Sequence, residues 1–288
     1  MIAGGLGPAL LFCPGDRPDR YAKAAAAADA VIVDLEDAVG FGAKDAARAA
    51  LRAAAGVLDP ARTIVRVNPA ASGLQAADLE AVRATPFRLV MLAKAESAAE
   101  VDRLADVSGV NGRRVIALCE TARGVAVAEQ LSAHPAVLGL AWGAEDLVAS
   151  LGGTSSRSPD GGYRDVARAA RARVLLAAGA AGKPAFDAVH LDLADEAGLA
   201  AEAEDAAASG FAGTLCIHPR QVAVVRRAFA PSPETLAWAR AVLRAAEAAG
   251  GGVFAVDGRM VDEPLLRQAR ELVRRADAPV GTEENEDA

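Results

Sequence analysis

The chain has few aromatic residues, few cysteines and few histidines. Aromatics make up 4% of its 288 residues. A core of this size must therefore close on small aliphatic side chains, alanine above all, with helices packed close together. The three cysteines, Cys13, Cys119 and Cys216, are an odd set without metal-ligand spacing, each in or beside an apolar run. That excludes a disulfide framework and points to buried free thiols in a reducing compartment. No basic stripe is present and the formal net charge is -7, which excludes nucleic acid as the main partner. An anionic cofactor stays possible, because a few local Arg and Lys suffice for a pocket. No apolar run is long enough to span a bilayer, and the start MIAGGLGPALLF lacks the basic n-region of a secretory signal. The expectation is a soluble, cytoplasmic protein with no membrane partner.

What the chain does have is a repeated design of short apolar runs that stop at charged residues. Val115–Gly124, VIALCETARG, runs apolar to Leu118 and stops at Glu120, after which Thr121, Arg123 and Gly124 open a loop. Val137–Gly143 runs apolar and is followed by Glu145 and Asp146. Two parallel strands would bring Glu120 and Asp146 to the same end of one sheet, and such oxygen ligands suit Mg²⁺ or Mn²⁺. The competing reading, that each carboxylate merely solvates a strand end or caps a helix, weakens as polar strand ends recur.

They recur along the chain. Ala9–Cys13 is the first strand, and beyond Pro14-Gly15 the segment Asp16–Lys23 carries Arg17, Arg20 and Lys23 into a helix start, where three cations could hold a phosphate. Ala30–Leu35 is the second, ending in Glu36 and Asp37, with Asp34 adding to a crowd of negative charge that requires a cation or donors. A helix over Phe41–Ala55 follows, with Lys44, Arg48 and Arg52 at i, i+4 spacing along one face. In the third strand, Thr63–Asn68, alternation puts Ile64, Arg66 and Asn68 on one face, so Arg66 can fork onto a carboxylate or a thioester oxygen at a barrel mouth. Arg88–Lys94, Arg114–Glu120, Val137–Gly143, Ala185–His190 and Gly213–Ile217 complete eight strands alternating with helical stretches. The Gly/Ser-rich segment Ser150–Gly162 is long for a βα loop and is expected to cover a site or to order on binding.

This alternation favours a (β/α)₈ barrel over residues 1–220, with Glu36, Arg66, Lys94, Glu120, Asp146 and Asp187 at the C-terminal strand ends. Beyond it, Pro231–Ala249 is a long Ala-rich helix and Gly250–Gly252 a flexible break. Phe254–Val261 is a hairpin turning at Asp257-Gly258, and Glu263–Ala276 a last helix. Residues 221–278 therefore suit a helix–hairpin–helix lid, and 279–288 a disordered acidic tail. Among the histidines, His134 suits a surface turn, and His190 at the end of strand seven suits either a functional or a structural role.

The segments LLFCPGDRPDRYAKA, VIVDLEDAV, IVRVN, LAKAES, CETARG, AWGAEDL, GFAGTLCIHPRQV and AVDGRMVDEPLLRQAR resemble the CitE-like family. That is the citrate lyase β-subunit and malyl-CoA lyase group of the HpcH/HpaI aldolase superfamily. The resemblance runs from about Ala9 to Ala276. It implies Mg²⁺ on Glu120 and Asp146, Arg66 against substrate oxygens, and Glu36 and Asp37 on metal-bound waters. It also implies Lys23 near CoA phosphates, the His218-Pro219 segment near the CoA adenine mostly through backbone, and Asp262 as an acid/base supplied by an adjacent subunit of a trimer or dimer of trimers. The activity implied is cleavage or formation of a C–C bond next to a CoA thioester, with malyl-CoA or citramalyl-CoA giving acetyl-CoA and a 2-oxo acid through an enolate. A malyl-CoA thioesterase or a malate synthase-like enzyme would fit the same residues, and a further alternative is a citrate lyase subunit acting on an acyl-carrier-protein thioester within a complex of partner subunits. Two departures bear on this. Gly7-Pro8 stands where the family often has Arg-Ser, which leaves substrate choice open. Asp37 stands where pyruvate-type aldolases carry a histidine, which favours the CoA-thioester branch.

Overall fold

The structure is a computed structural model and describes residues 5–106, 114–249 and 252–277. Eight parallel strands close into a barrel: β1 (Ala9–Pro14), β2 (Ala30–Asp34), β3 (Thr63–Val67), β4 (Leu89–Leu92), β5 (Arg114–Cys119), β6 (Val137–Trp142), β7 (Ala185–Asp187) and β8 (Gly213–Cys216). Each pairs with the next, and β8 returns to β1. The helices between them are α1 (Tyr21–Ala27), α2 (Lys44–Ala53), α3 (Gln75–Arg83), α4 (Ala98–Asp106), α5 (Ala122–Ala126), α6 (Ala128–Ala133), α7 (Ala144–Ser150), α8 (Asp165–Ala180) and α9 (Glu196–Ser209), and α10 (Pro219–Phe229) follows β8. This is the (β/α)₈ TIM barrel that the alternation of runs predicts.

The strands form because their apolar runs are buried on both faces, as parallel sheets require. One parity fills the barrel: Leu10, Ile32, Ile64, Met91, Ile116, Leu118, Phe186 and Leu215 belong to a single interior cluster. The other parity meets the helices, whose contact faces mix Leu and Val with many alanines, among them Ala47, Ala167, Ala177, Ala178 and Ala206, all at most 2% exposed. Cys13, Cys119 and Cys216 are buried and free.

Several boundaries differ from expectation. β4 stops at Leu92, and Lys94 takes a left-handed φ of 50°, because its backbone N–H turns to donate to Glu120 Oε1 at 3.0 Å. β7 stops at Asp187 rather than at His190. Thr121–Gly124 is a helix start instead of a loop, since the Thr121 hydroxyl caps Gly124 N–H at 3.0 Å. The helices α3, α7 and α10 have no counterpart in the sequence reading. The acidic pair of α7 resembled a strand end, and α10 lay past the point where the barrel count was complete. The helix expected over Phe41–Ala55 is a 3₁₀ turn followed by α2, and Lys44 and Arg48 are buried, not solvated. The segment after α7 is tied down: buried Ser156 donates to Glu145 Oε1 at 2.5 Å, and Arg157 pairs with Glu202 and lies 4.2 Å over the Tyr163 ring.

Contacts divide the chain into two compact units, Met1–Val225 and Arg226–Ala288. The second holds α11 (Pro233–Ala249), the antiparallel strands β9 (Phe254–Val256) and β10 (Arg259–Val261), and α12 (Glu263–Ala276). Asp257 and Gly258 turn the hairpin with φ of 49° and 76°, the pair of positive angles that a two-residue hairpin turn needs. Ala239, Val242, Val256, Val261, Leu266 and Ala269 form this unit's own core. Gly250, Gly251 and the acidic tail lie outside the described residues.

Candidate active site

The parity that fills the barrel also builds its mouth. Two residues beyond Ile32 stands Asp34, two beyond Ile64 stands Arg66, and two beyond Leu118 stands Glu120. Strand register sets Asp34 directly opposite Arg66. Arg66 donates through Nε and Nη2 to the two Asp34 oxygens at 2.7 and 2.5 Å, and its Nη1 lies 3.2 Å from Glu36 Oε2. The Phe12 ring supports the guanidinium from 4.6 Å. Asp34 accepts further bonds from Glu36 N–H and Ala38 N–H at 2.8 and 2.9 Å, so the turn carrying Glu36 and Asp37 is anchored on it.

Above this floor the Lys94 ammonium lies among four carboxylates. Its Nζ is 2.6 Å from Glu36, 3.3 Å from Asp37, 3.5 Å from Asp146 and 4.0 Å from Glu120. Burial grades from floor to rim. Asp34, Glu36, Arg66 and Glu120 are buried, while the side chains of Asp146 and Asp37 are 37% and 60% exposed. Gly143 makes room for Glu120, since a Cβ there would sit 2.9 Å from Glu120 Oε2.

The electrostatics follow from that gradient. Burial pushes the Glu120 carboxyl up to about 8, and Lys94 and Arg66 offset this only in part. Burial also raises Glu36 against the pull of Arg66 and Lys94. At Asp37 burial would do the same, but hydrogen bonding with Glu36 and the Lys94 charge outweigh it, and its carboxyl is held below the usual range. Burial disfavours the charges of Arg66 and Lys94, yet Asp34 for the first and Glu36 with Glu120 for the second hold both firmly protonated.

Among the described residues no three His, Cys, Asp or Glu side chains form a complete metal cage. A hard cation such as Mg²⁺ asks for less, one or two carboxylates with the rest from water and substrate. Glu120 and Asp146 fit that demand. Glu120 offers a buried oxygen whose charge burial disfavours in the absence of a further cation, and Asp146 offers a part-exposed one at the rim.

Other residues singled out in the sequence go elsewhere. Arg17 is paired with Asp19 at 2.8 Å, and Arg20 and Lys23 are exposed on the turn and helix after β1. Pro219 begins α10. The N–H groups of Ile217 and His218 donate to Gln221 Oε1 at 2.8 and 3.2 Å, and Gln221 Nε2 donates to the His190 carbonyl at 2.7 Å, which ties the loops after β7 and β8 together. Asp187 is no member of the charged cluster: it accepts from Trp142 Nε1 at 2.5 Å and pairs with Arg171 at 2.7 Å. His190 Nδ1 lies 2.9 Å from Glu202, and His134 Nε2 2.9 Å from Asp102. Asp262, in the second unit, caps α12 by accepting from Leu265 N–H at 3.3 Å.

A buried polar network lies under the Glu36 turn, outside what the sequence alone predicts. Lys44 Nζ donates to the carbonyls of Leu35 and Glu36 at 2.6 and 2.7 Å and to Asn68 Oδ1 at 3.1 Å. Asn68 Nδ2 donates to Asp78 at 2.6 Å, and Arg48 Nε donates to the same carboxylate at 2.8 Å. The only signal available was the i, i+4 spacing of Lys44 and Arg48, which an exposed face shares.

Residues 9–219 match the family model described as HpcH/HpaI aldolase/citrate lyase. The chain is 57% identical over 270 residues to a citrate lyase subunit beta-like protein of Mycobacterium tuberculosis, spanning 94% of this chain and 96% of that one. It is 35% identical over 294 residues to the mitochondrial citramalyl-CoA lyase of Homo sapiens, spanning 93% and 85%. The crystal structure of protein CitE from M. tuberculosis in complex with magnesium, acetoacetate and coenzyme A superposes with a TM-score of 0.87 at 55% identity, covering 95% of this chain and 99% of that one. With a charged barrel mouth of this design, and with similarity that spans nearly its whole length, the chain belongs to the HpcH/HpaI aldolase/citrate lyase family.

Proposed function

We propose that the protein is a Mg²⁺-dependent carbon–carbon lyase, or condensing enzyme, acting on a CoA thioester of the malyl-CoA or citramalyl-CoA type and interconverting it with acetyl-CoA and a 2-oxo acid. The observation that carries this reading is the convergence of Glu36, Arg66, Lys94, Glu120 and Asp146 at the barrel mouth of a chain so similar to CitE. Glu120 and Asp146 would hold the ion, and Mn²⁺ suits the same oxygens. When bound, the ion supplies Lewis acidity toward the oxygens of a 2-oxo acid.

The remaining work falls to the chain's own residues. Arg66 is fixed on Asp34 through Nε and Nη2 and faces Glu36 through Nη1, so the second Nη1 hydrogen is what it offers a substrate oxygen to stabilise developing negative charge. Glu36 and Asp37 orient water at the rim. Asp262 is the acid/base that exchanges the proton at the acetyl-CoA carbon, delivered by a neighbouring chain in a homotrimer or a dimer of trimers, with the helix–hairpin–helix region beyond residue 220 as the lid. Lys23, with Arg20 and Arg17, meets the CoA phosphates, and the backbone around Pro219 meets the adenine. The setting is the cytoplasm. Among the described residues no helix is long and apolar enough to cross a membrane.

The test incubates the purified full chain and Mg²⁺ with a panel of acyl-CoA esters and separates the products. Acetyl-CoA with a 2-oxo acid is the expected result. Free CoA with an intact hydroxy acid would replace the lyase reading with a thioesterase. Turnover confined to an acyl-carrier-protein thioester with partner chains would replace it with a citrate lyase subunit.

A further inference from the structure

Lys94 is the one charged group at the centre of this cluster for which the proposed reaction has no use. Its backbone is costly: at φ 50° it is one of two non-glycine residues with positive φ among the described residues, and the other, Asp257, sits in the hairpin turn where such angles are expected. Glycine would hold this turn without strain. The backbone N–H bond to Glu120 Oε1 needs no side chain either. A lysine here therefore does something with its ammonium, and the ammonium reaches Glu36, Asp37, Asp146 and Glu120 within 4.0 Å.

We infer that Lys94 is a resident counter-cation that sets the site's affinity for its divalent ion, holding the carboxylates together when metal is scarce and opposing metal when it binds. The inference rests on the assignment of Glu120 and Asp146 as metal ligands. Geometry makes the opposition unavoidable, because Nζ lies 3.5 Å from Asp146 Oδ1 and 4.0 Å from Glu120 Oε1. An ion bound to Asp146 at about 2.1 Å would lie no more than about 6 Å from the ammonium. At that distance a unit charge and a divalent ion repel enough, even at the dielectric constant of bulk water, to weaken binding roughly tenfold. Retreat toward Glu36 gives little relief, since the ammonium already lies 2.6 Å from it, and retreat toward solvent gives up the ion pairs that hold it in the site. The site is thereby kept from gripping metal so tightly that it cannot exchange, while its four carboxylates are never left without a cation.

The experiment measures Mn²⁺ binding to the metal-free full-length protein by calorimetry and by the electron paramagnetic resonance of free Mn²⁺, together with the melting temperature with and without Mg²⁺. Lys94→Met removes the charge and keeps the chain length. Lys94→Gly removes the charge and relaxes the backbone, and serves if the Met variant does not fold. Both should bind Mn²⁺ at least about tenfold more tightly than the parent and show a larger melting shift on adding Mg²⁺. Lys94→Arg, which keeps the charge, should stay near the parent affinity. Equal or weaker binding by the uncharged variants would overturn the inference, because a lysine that merely supports the site predicts a loss. Glu120→Gln and Asp146→Asn separate the two layers of the argument. If they bind Mn²⁺ like the parent, the ligand assignment fails and this inference with it. If they lose binding while Lys94→Met gains none, the inference about Lys94 alone fails.

Discussion

Lys44→Met tests the polar network that supports the Glu36 turn. Lys44 is 8% exposed and spends all three ammonium donors, on Leu35 O, Glu36 O and Asn68 Oδ1. Met has nearly the same length and no charge. Two of the acceptors keep a second donor after the change: Leu35 O retains Asn68 Nδ2 at 2.8 Å, and Glu36 O retains Val39 N–H at 3.1 Å. Asn68 Oδ1 retains none among the described residues. The loss is thus one orphaned buried acceptor, about 1–3 kcal/mol, plus the net value of charge-assisted bonds at about 1.5–3 kcal/mol each, less the relief of no longer burying an ammonium. A net destabilisation of roughly 2–4 kcal/mol follows, which for a barrel of this size lowers the melting temperature by on the order of 10 °C. Arg52→Met is the control. It lies on the same expected helix face but is exposed, and it should stay within about 0.5 kcal/mol of the parent. Urea denaturation followed by far-UV circular dichroism reads both. Lys44→Met falling within about 0.5 kcal/mol of the parent would refute the reasoning.

The metal-free protein should lose stability as pH rises from about 5 to 8. Folding raises the Glu120 carboxyl from 4.5 to about 8, so in that window the folded state keeps a proton that the unfolded chain has released. Stability then falls by up to about 1.4 kcal/mol per pH unit, and Glu120→Gln should flatten the profile in urea melts run with EDTA. Gly143→Ala should push Glu120 aside, since the new Cβ would lie 2.9 Å from Oε2 and 3.0 Å from Glu120 Cβ. A cost of about 1–3 kcal/mol and weaker Mn²⁺ binding are expected, and unchanged affinity by calorimetry would count against Glu120 as a ligand. Asp262→Asn keeps a capping oxygen for Leu265 N–H, so the variant should fold and bind substrate. It should nevertheless lose roughly 10²–10⁴-fold in kcat, and full turnover with chemistry rate-limiting would leave Asp262 a helix cap alone.

Much of the architecture was already written in local patterns. Eight apolar runs with helical stretches between them define the barrel, because a strand buried on both faces has no polar alternative along its length. Alternation puts Arg66 on the side of Ile64, and therefore in the barrel mouth, whatever its partners are. Asp257-Gly258 announced the hairpin because few residues accept the positive φ the turn needs. These features depend on backbone geometry within a few residues.

The partners of each charge depended on chain closure instead. Lys44, Arg48 and Arg52 share one period, yet Lys44 and Arg48 are buried on acceptors contributed from the β2–β3 region and α3, while Arg52 stays in solvent. Asp187 ends its strand as Glu120 nearly does, yet it is taken by Trp142 and Arg171, residues 45 and 16 positions away. Lys94 reads as one more polar strand end, and only the return of the chain with Glu120 and Asp146 makes it the hub of four carboxylates. Periodicity is a property of the local backbone and survives in the sequence. A charge's burial and pairing are set by strand register and barrel closure between segments tens of residues apart, which no local pattern encodes.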